Sequence, residues 1–447
     1  MQYFAPLAMC AALLLGIFTG YPVAFVLAGV GVLAALAADV PMLFLSTGVS
    51  RTFSGILSNW LLIAVPLFVF MGLMLEKSGI AQRLLRSLAG LMGTLPGGYA
   101  FAVTLIGIVM AASTGIIGAS VVLMGVLALP AMMQSRYDPK LATGVIAATG
   151  TLGILIPPSI MLVVLGDTLR ISVGDLFAGA LLPGLMLGGL YLVYLVILAI
   201  FRPHTMPPLA NRDAQPWSSL IWALARDLLA PLVLILLVLG SIIAGVATPT
   251  EAAALGAAGA FVLALLSGQM RWNIFVETLR ETTRTTAMIM FVMIGATVFS
   301  VIFRKLGGDT MIADFLGVSD GQASAYWVLT VIMLFIFVLG MFLDWVEITF
   351  IVIPIVAPIL AGLDFGIPQD QVLLWFAILF AVNLQTSFLT PPFGYALFYI
   401  RGIAPPEIST VTIYKGIVPF VIIQLTGLVL TIAFPQLVLW LPQQLLG

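Results

Sequence analysis

Two acidic side chains, Asp344 and Glu347, lie in a stretch that carries no other charge between residues 325 and 362. A carboxylate within an apolar segment is costly, and such residues usually mark ion or proton pathways. We predict an ion-binding or hairpin-tip role for Asp344, whereas Glu347 can equally well face water. A proton-coupled protein would also use a buried carboxylate, so this pair leaves the identity of the ion open.

Two proline pairs, Pro157-Pro158 and Pro391-Pro392, each follow a polar stretch inside an otherwise apolar segment. Consecutive prolines stop a helix because each lacks a backbone N–H and clashes with the preceding turn. A broken helix offers unwound carbonyls and hydroxyls to a cation and a helix N-terminus to an anion. We predict discontinuous helices over residues 141–166 and 371–400.

Enzymatic chemistry finds little support in the sequence. His204 is the single histidine and lies in a polar loop, and Cys10 is the single cysteine. A metal, haem or Cys–His site and an internal disulfide are therefore excluded. A hydrolase based on Ser113 would lack a visible base, and no Gly-rich loop ends in Lys-Ser/Thr, so ATP hydrolysis by a P-loop is not expected. We predict no catalytic residues, no metal site built on His or Cys, and no cofactor.

The composition requires lipid as the solvent. Of 447 residues, 62% are hydrophobic and 8% are charged, and the net charge is −1. Globular soluble proteins are closer to one-quarter charged. The charges fall in clusters between apolar runs of about 20 residues, the length of a transmembrane helix. We predict an all-α polytopic membrane protein with no nucleic-acid partner.

Hydropathy predicts simple spans and two longer apolar stretches. The spans are 3–19, 22–47, 57–75, 176–201, 228–247, 249–267, 285–303 and 412–442. Residues 95–133 and 325–362 are too long for one span and have small or polar residues near their middle. We predict that both are re-entrant hairpins whose tips lie against protein or a water-filled cavity.

The basic residues indicate an orientation. If each hairpin returns to its own side, most Lys and Arg residues share one face. By the positive-inside rule that face is cytoplasmic, so both termini are predicted to be periplasmic.

The two halves of the chain echo each other, with the proline pairs at matching places. We predict a first repeat over 1–227, with hairpin 95–133 and broken helix 141–166. The second covers 228–447, with hairpin 325–362 and broken helix 371–400. Five crossings per half make the second copy inverted. Inverted repeats with matching broken helices are typical of secondary transporters. Prolines that merely kink packed helices are the alternative, which the recurrence beside hairpins disfavours.

Several motifs resemble one transporter family over nearly the whole chain. They are residues 20–25 (GYPVAF), 66–72 (PLFVFMG), 76–81 (EKSGIA), 96–98 (PGG), 150–159 (GTLGILIPPS), 340–344 (GMFLD) and 389–392 (LTPP). The set resembles the large membrane subunit, M or DctM-like, of tripartite ATP-independent periplasmic (TRAP) transporters.

The resemblance implies a sodium-coupled, elevator-type secondary active importer of small organic anions, such as carboxylates, in a bacterial inner membrane. It also implies two partners, a small four-helix membrane subunit and a periplasmic solute-binding protein. We expect the small subunit to be a separate chain.

The resemblance also implies site residues, because in the family sodium lies where a hairpin tip meets the matching broken helix. The first cation site would use Ser113, Thr114, Gly115, Thr149, Gly150, Thr151 and Gly153. The second would use Gly340, Asp344, Asn383, Gln385, Thr386 and Thr390. We expect the substrate between the tips, with contacts from Ser113, Thr114, Thr151, Pro157, Pro158, Ser159, Asn383, Pro391 and Pro392. The first tip departs from the Ser-Ser-Gly-Ser of many members, since Thr114 replaces a serine and Ile116 follows Gly115.

Three other functions remain to be weighed. A proton-coupled carrier of organic anions would share this architecture. A channel can also contain re-entrant half helices, although doubled broken helices argue against it. A purely structural membrane subunit would not need two matched broken helices.

Overall fold

The protein is built from α-helices in a computed structural model that describes residues 3–92, 95–115, 117–208, 217–268, 270–318 and 323–445. Within these ranges no strand occurs. The predicted all-α fold is therefore confirmed. Residues 112–114 have a described helical backbone, but their side chains, which include those of Ser113 and Thr114, lie outside the described part.

The described residues of the first half form ten α-helices. They are α1 (Phe4–Phe18), α2 (Val23–Ala37), α3 (Met42–Thr52), α4 (Ala64–Lys77), α5 (Ile80–Met92), α6 (Gly98–Thr114), α7 (Ile117–Gln134), α8 (Pro139–Thr151), α9 (Ile160–Leu169) and α10 (Val173–Phe201). A π-helical turn over Phe53–Leu57 and a 3₁₀ turn over Trp60–Ile63 join α3 to α4.

The second half continues in the same style. Its helices are α11 (Trp217–Ile243), α12 (Pro249–Leu266), α13 (Trp272–Lys305), α14 (Gly308–Phe315), α15 (Ala325–Gly340), α16 (Trp345–Ala361), α17 (Val372–Ser387), α18 (Tyr395–Ile403), α19 (Thr410–Ala433) and α20 (Gln436–Leu445).

Both predicted hairpins are present as pairs of packed helices. In the first, α6 and α7 are joined at Gly115, whose φ of +58° is a left-handed conformation that glycine adopts without a Cβ penalty. In the second, α15 and α16 are joined by residues 341–344. Ser324 caps α15 by accepting a bond from the Trp327 backbone N–H, and Asp344 caps α16.

Both predicted discontinuous helices are also present. The first consists of α8, a 3₁₀ turn over Leu152–Ile154, an irregular stretch containing the first proline pair, and α9. The second consists of α17, a stretch containing the second proline pair, and α18. Both proline pairs contain a cis peptide bond.

The helices of the two halves pack in a reciprocal way. Helix α2 packs on α13 and α12 packs on α4, while α4 and α13 contact each other. Among the hairpins and broken helices, α7 packs on α18 and α16 packs on α9. In the predicted repeats α2 corresponds to α12, α4 to α13, α7 to α16 and α9 to α18. With this correspondence, each of these contacts between the halves has a matching contact with the roles of the two halves exchanged. We refer to α2, α4, α12 and α13 as the scaffold group.

One arginine links the scaffold group to the second hairpin. Helix α16 contains both Pro354 and Pro358, and Pro358 has no N–H to donate to the carbonyl of Pro354 four residues earlier. The Arg304 guanidinium of α13 donates a hydrogen bond to that carbonyl instead. Arg304 also lies 3.6 Å from a carboxyl oxygen of Asp309, which holds the guanidinium beside the hairpin arm.

Helix length and composition support a polytopic protein. In the described residues seven helical segments are long and apolar enough to cross a membrane, and six further apolar helices are shorter. The long segments include α7, which the structure places in a hairpin. They also include α13, whose 34 residues extend well beyond the predicted span 285–303.

Two predicted spans are wrong as single helices. The stretch 22–47 divides into α2 and α3, because Asp39 adopts a φ of +49° and Pro41 precedes the next helix. The stretch 412–442 divides into α19 and α20 at Phe434-Pro435. The predicted boundary between the two repeats, at residues 227 and 228, falls inside helix α11, which is continuous there. The division into repeats stays a prediction.

Candidate functional site

The tip of the first hairpin lies at the break in the first discontinuous helix. A Cβ built on Gly115 would lie 3.3 Å from the side chain of Ile160, the first residue of α9. Further along the two helices, a Cβ on Gly150 would lie 2.4 Å from Val121 of α7. We call this contact the first junction; it joins α6, α7, α8 and α9.

Hydroxyl groups of the first junction are turned toward their own helix. The Thr149 hydroxyl donates to the carbonyl of Val145 at 2.7 Å, and that of Thr151 donates to Ala148 at 2.8 Å. A hydroxyl has one hydrogen and two acceptor lone pairs, so each oxygen keeps acceptor capacity after this donation. Oxygen atoms prepared in this way suit a hard cation.

The remaining predicted residues of the first cation site are also brought together. Gly150 is the second-last residue of α8, Gly153 lies in the 3₁₀ turn, and Gly115 is the hairpin turn. All three are buried. The side chains of Ser113 and Thr114 lie outside the described residues, so their predicted ligation stays a prediction.

The tip of the second hairpin lies at the break in the second discontinuous helix. A Cβ on Gly340 would lie 2.0 Å from the Ser387 hydroxyl at the end of α17. The Phe342 and Phe393 rings are in contact, with centroids 5.6 Å apart. The carboxyl of Asp344 interacts electrostatically with Tyr395, the first residue of α18. We call this contact the second junction.

Asp344 and Glu347 both lie at the start of helix α16. The Asp344 carboxylate accepts a bond of 2.8 Å from the backbone N–H of Trp345, so it caps the helix as well as lying at the junction. Glu347 lies in the first turn of the same helix, and one of its carboxyl oxygens has no hydrogen-bond partner among the described residues. The carboxyl groups of Asp344 and Glu347 interact electrostatically.

Two carboxamides of the second junction are almost fully buried. Asn383 is 2% exposed and donates a bond of 2.7 Å to the carbonyl of Met333 in α15, which ties the hairpin arm to α17. Gln385 is 0% exposed, and neither its oxygen nor its nitrogen has a partner among the described residues. A buried amide without partners costs free energy, so this group calls for a ligand or water.

The hydroxyls of the second junction repeat the pattern of the first. The Thr386 hydroxyl donates to Val382 at 3.0 Å and that of Thr390 donates to Thr386 at 2.9 Å, in both cases to a backbone carbonyl of the preceding turn. The two junctions also approach each other, because α17 contacts the 3₁₀ turn of the first broken helix.

The half helices that follow the breaks lack side-chain caps. Ser159 precedes α9, but its hydroxyl donates to the carbonyl of Ile154 instead of accepting from the helix. Gly394 precedes α18 and has no side chain to cap it, although the Ala396 N–H donates to the carbonyl of Phe388. Such N-terminal N–H groups carry partial positive charge that attracts anions.

The residues predicted to contact substrate differ in access. Pro157, Pro158 and Ser159 are buried, whereas Pro391 is partly exposed and Pro392 is exposed. In this conformation the second break therefore lies at the surface of the chain and the first does not. Pro391 and Thr390 line a groove of about 370 Å³ against α19.

Sequence reasoning missed two residues at the first junction, Gln424 and Tyr191. Both are 0% exposed, and the Gln424 amide nitrogen lies 3.3 Å from the Thr151 hydroxyl and 2.7 Å from that of Tyr191. A glutamine inside the apolar span 412–442 was the available signal, since polar side chains within membrane helices are usually functional. The described residues contain no group of His, Cys, Asp and Glu that could hold a metal ion.

Comparison with known proteins gives matches along nearly the entire chain. The sequence model of the tripartite ATP-independent periplasmic transporter, DctM component, matches residues 10–437. The C4-dicarboxylate TRAP transporter large permease protein DctM of Pseudomonas aeruginosa is 31% identical over 388 residues, 87% of each chain. The sialic acid TRAP transporter large permease protein SiaM of Vibrio cholerae is 30% identical over 440 residues, 96% of this chain and 97% of its own.

A solved structure shares the fold. The YdaH transporter of Alcanivorax borkumensis, described as having an unusual topology, aligns with a TM-score of 0.57 over 88% of each chain at 16% sequence identity. At this identity the likeness concerns the fold alone.

Proposed function

Since the chain belongs to the family of DctM components of tripartite ATP-independent periplasmic transporters, we propose that it imports a small organic anion by coupling its movement to sodium. The resemblance carried by the motifs is confirmed at the level of the family. The chain is a multi-pass transporter component rather than an enzyme. The coupling ion, the substrate and the motion are the proposed part.

The observation that carries the proposal is the pair of matched junctions. At each one a hairpin tip meets the end of a half helix, and buried hydroxyl oxygens retain acceptor capacity. Neutral oxygens, with one carboxylate from Asp344, form a ligand set for a hard monovalent cation that binds and is released again. In this reading Thr149 and Thr151 serve the first cation and Thr386 and Thr390 serve the second.

The substrate would be held between the junctions by the half helices. The uncapped N-termini of α9 and α18 offer N–H groups and partial positive charge to a carboxylate. A relative is named for C4-dicarboxylates and another for sialic acid, and both ligands carry carboxylates. We propose a carboxylate as the substrate class. Cation binding at the tips would complete the anion site, which couples the two movements.

The packing supports an elevator motion of the hairpins and broken helices against the scaffold group. Helices α2, α4, α12 and α13 contact one another across the two halves, and the hairpins pack on the broken helices as well as against α4 and α13. In the proposed motion the second group slides as a unit while the scaffold stays fixed. Because the first break is buried in this conformation, substrate access to Ser159 would require such a movement.

The remaining parts of the proposal follow from membership in a tripartite system. We propose a small four-helix membrane subunit and a periplasmic solute-binding protein as partners, and the bacterial inner membrane as the location. Both termini would be periplasmic, as the distribution of Lys and Arg predicts.

The deciding experiment is uptake into proteoliposomes that contain the chain and its partner subunits, with an imposed sodium gradient, a binding protein and a panel of carboxylates. We expect sodium-dependent, saturable uptake in the wild type and its loss in Thr151→Val, which removes one hydroxyl oxygen from the first junction. Thr168→Val is the matched control, because among the described residues the Thr168 hydroxyl bonds only the Val164 carbonyl of its own helix.

Other outcomes would point to other mechanisms. Uptake driven by a pH gradient alone would replace sodium by protons, and the unpartnered carboxyl oxygen of Glu347 would then be the group to test. Passive and non-saturating flux would indicate a channel. Equal loss in Thr151→Val and Thr168→Val would refute the assignment of Thr151.

A further inference from the structure

Gln424 places a buried amide from the second half of the chain against the first junction. It lies on α19 and is 0% exposed. Its amide nitrogen contacts the hydroxyls of Thr151, at 3.3 Å, and Tyr191, at 2.7 Å. The amide oxygen has no hydrogen-bond partner among the described residues.

The hydrogen bonding of Thr151 supports this orientation of the amide. The Thr151 hydroxyl donates to the Ala148 carbonyl at 2.8 Å, so it accepts from the Gln424 amide nitrogen, and it is also a hydrogen-bond partner of the Tyr191 hydroxyl. The amide nitrogen of Gln424 has two hydrogens, one for Thr151 and one for Tyr191. This arrangement leaves the amide oxygen as a buried acceptor without a donor, which is costly unless another group binds it.

The position of Gln424 is fixed by packing on both sides. Phe420, one turn earlier on α19, packs edge-on against the Tyr191 ring with a centroid distance of 5.4 Å. Helix α19 also crosses α8 in close contact, since a Cβ on Gly416 would lie 2.2 Å from the Lys140 carbonyl oxygen. The packing of Phe420 on Tyr191 and of α19 on α8 therefore holds the amide beside Thr151.

A comparison of the two junctions indicates what the amide does. When the proline pairs are aligned, Thr151 of the first broken helix corresponds to Gln385 of the second. Gln385 is itself a fully buried amide with unpartnered atoms. Each junction thus contains one buried carboxamide with unused hydrogen-bonding capacity. In the second it belongs to the broken helix, whereas in the first it is supplied by α19.

We propose that Gln424 is a binding residue of the first cation site: it fixes the hydroxyl of Thr151 and presents its own amide oxygen to the cation. Tyr191 is the positioning residue that holds the amide. This inference rests on the proposed sodium coupling. It makes the first site a joint product of both halves of the chain, because α8 belongs to one half and α19 to the other.

The test is sodium-dependent thermal stabilisation of the purified protein in detergent, which requires neither substrate nor transport. Melting temperatures are measured against sodium chloride, with choline chloride keeping the ionic strength constant. A ligand that binds the folded state raises the melting temperature according to its concentration and affinity. We expect Gln424→Met, which keeps length and volume, to raise the sodium concentration for half-maximal stabilisation about tenfold.

Two further variants separate this role from a loss of packing. Thr431→Val is the matched control, because Thr431 is a buried polar residue of α19 whose hydroxyl, within the described part of the chain, bonds only the Gly427 carbonyl of its own helix. We expect its sodium midpoint to equal that of the wild type even if its melting temperature falls. Tyr191→Phe removes one hydroxyl, and we expect a smaller shift of about threefold in the same direction. It serves as the test if Gln424→Met fails to fold.

Each outcome decides a separate point. An unchanged sodium midpoint in Gln424→Met, with a sodium response in the wild type, would overturn the role of Gln424 and leave sodium coupling in place. A wild type that responds equally to sodium and choline would overturn both. A raised midpoint in Gln424→Met together with an equal rise in Thr431→Val would reduce Gln424 to a packing residue.

Discussion

Gly416→Ala tests the close crossing that holds α19 against α8. The added Cβ would lie 2.2 Å from the carbonyl oxygen of Lys140, and on the facing helix a Cβ on Gly144 would lie 2.3 Å from the carbonyl oxygen of Gly416. Both neighbours are backbone atoms, so no side-chain rotation can relieve the overlap. Restoring an ordinary contact of roughly 3.5 Å would require the helices to separate by about 1 Å.

The magnitude follows from comparison with a glycine that has room. Gly240 lies inside α11 with nothing within 4 Å of a built Cβ. Replacing glycine by alanine in a helix is intrinsically favourable by up to about 1 kcal/mol, and this gain is common to both variants. The difference between them is therefore the cost of overpacking, about 1–3 kcal/mol. We expect Gly416→Ala to be less stable than Gly240→Ala by that amount.

The assay is unfolding by SDS titration in micelles, followed by tryptophan fluorescence and circular dichroism. A second consequence concerns the first junction, because a separation of about 1 Å would break the 3.3 Å contact between Gln424 and Thr151. The sodium midpoint of Gly416→Ala should then rise as well. Equal stability of Gly416→Ala and Gly240→Ala would refute the assigned crossing.

Two further substitutions test the links of the second hairpin. Arg304→Met leaves the carbonyl of Pro354 without a donor, and we expect a loss of about 1–3 kcal/mol in the same titration relative to Arg51→Met, an exposed control. An equal stability of these two variants would contradict the link. Gly340→Ala overlaps the Ser387 side chain, so we expect reduced sodium-dependent uptake, with recovery in Gly340→Ala/Ser387→Gly. Absence of recovery in the double variant would contradict contact between the tip and the end of α17.

Several elements could be predicted from local sequence because their causes are local. A proline pair stops a helix wherever it occurs, so both breaks were placed correctly by Pro157-Pro158 and Pro391-Pro392. The hairpins followed from length, since about 40 apolar residues fit two helices and a turn. The family followed from ordered motifs that lie along the chain.

Other elements depended on signals too weak to read from hydropathy. The division of residues 22–47 into α2 and α3 rests on Asp39 in a left-handed conformation, and the division of 412–442 rests on a single proline, Pro435. A hydropathy profile is averaged over a window of residues, so it does not detect turns as short as these. Helix α13 is longer than predicted because its polar first part, with Glu277 and Glu281, is helical too. These acidic residues form ion pairs with Lys77 of α4.

The sequence by itself determined that the chain lies in a membrane, because that depends on composition. It also determined the helices, the two breaks and the chain positions of the polar residues, because these depend on neighbours within a few positions. Only the tertiary structure decided which polar residues meet. Gln424 and Thr151 are 273 positions apart, and no local pattern joins them. Their contact results from the crossing of α8 and α19, which the small size of Gly144 and Gly416 permits. Packing between the halves also left the first break buried and the second open.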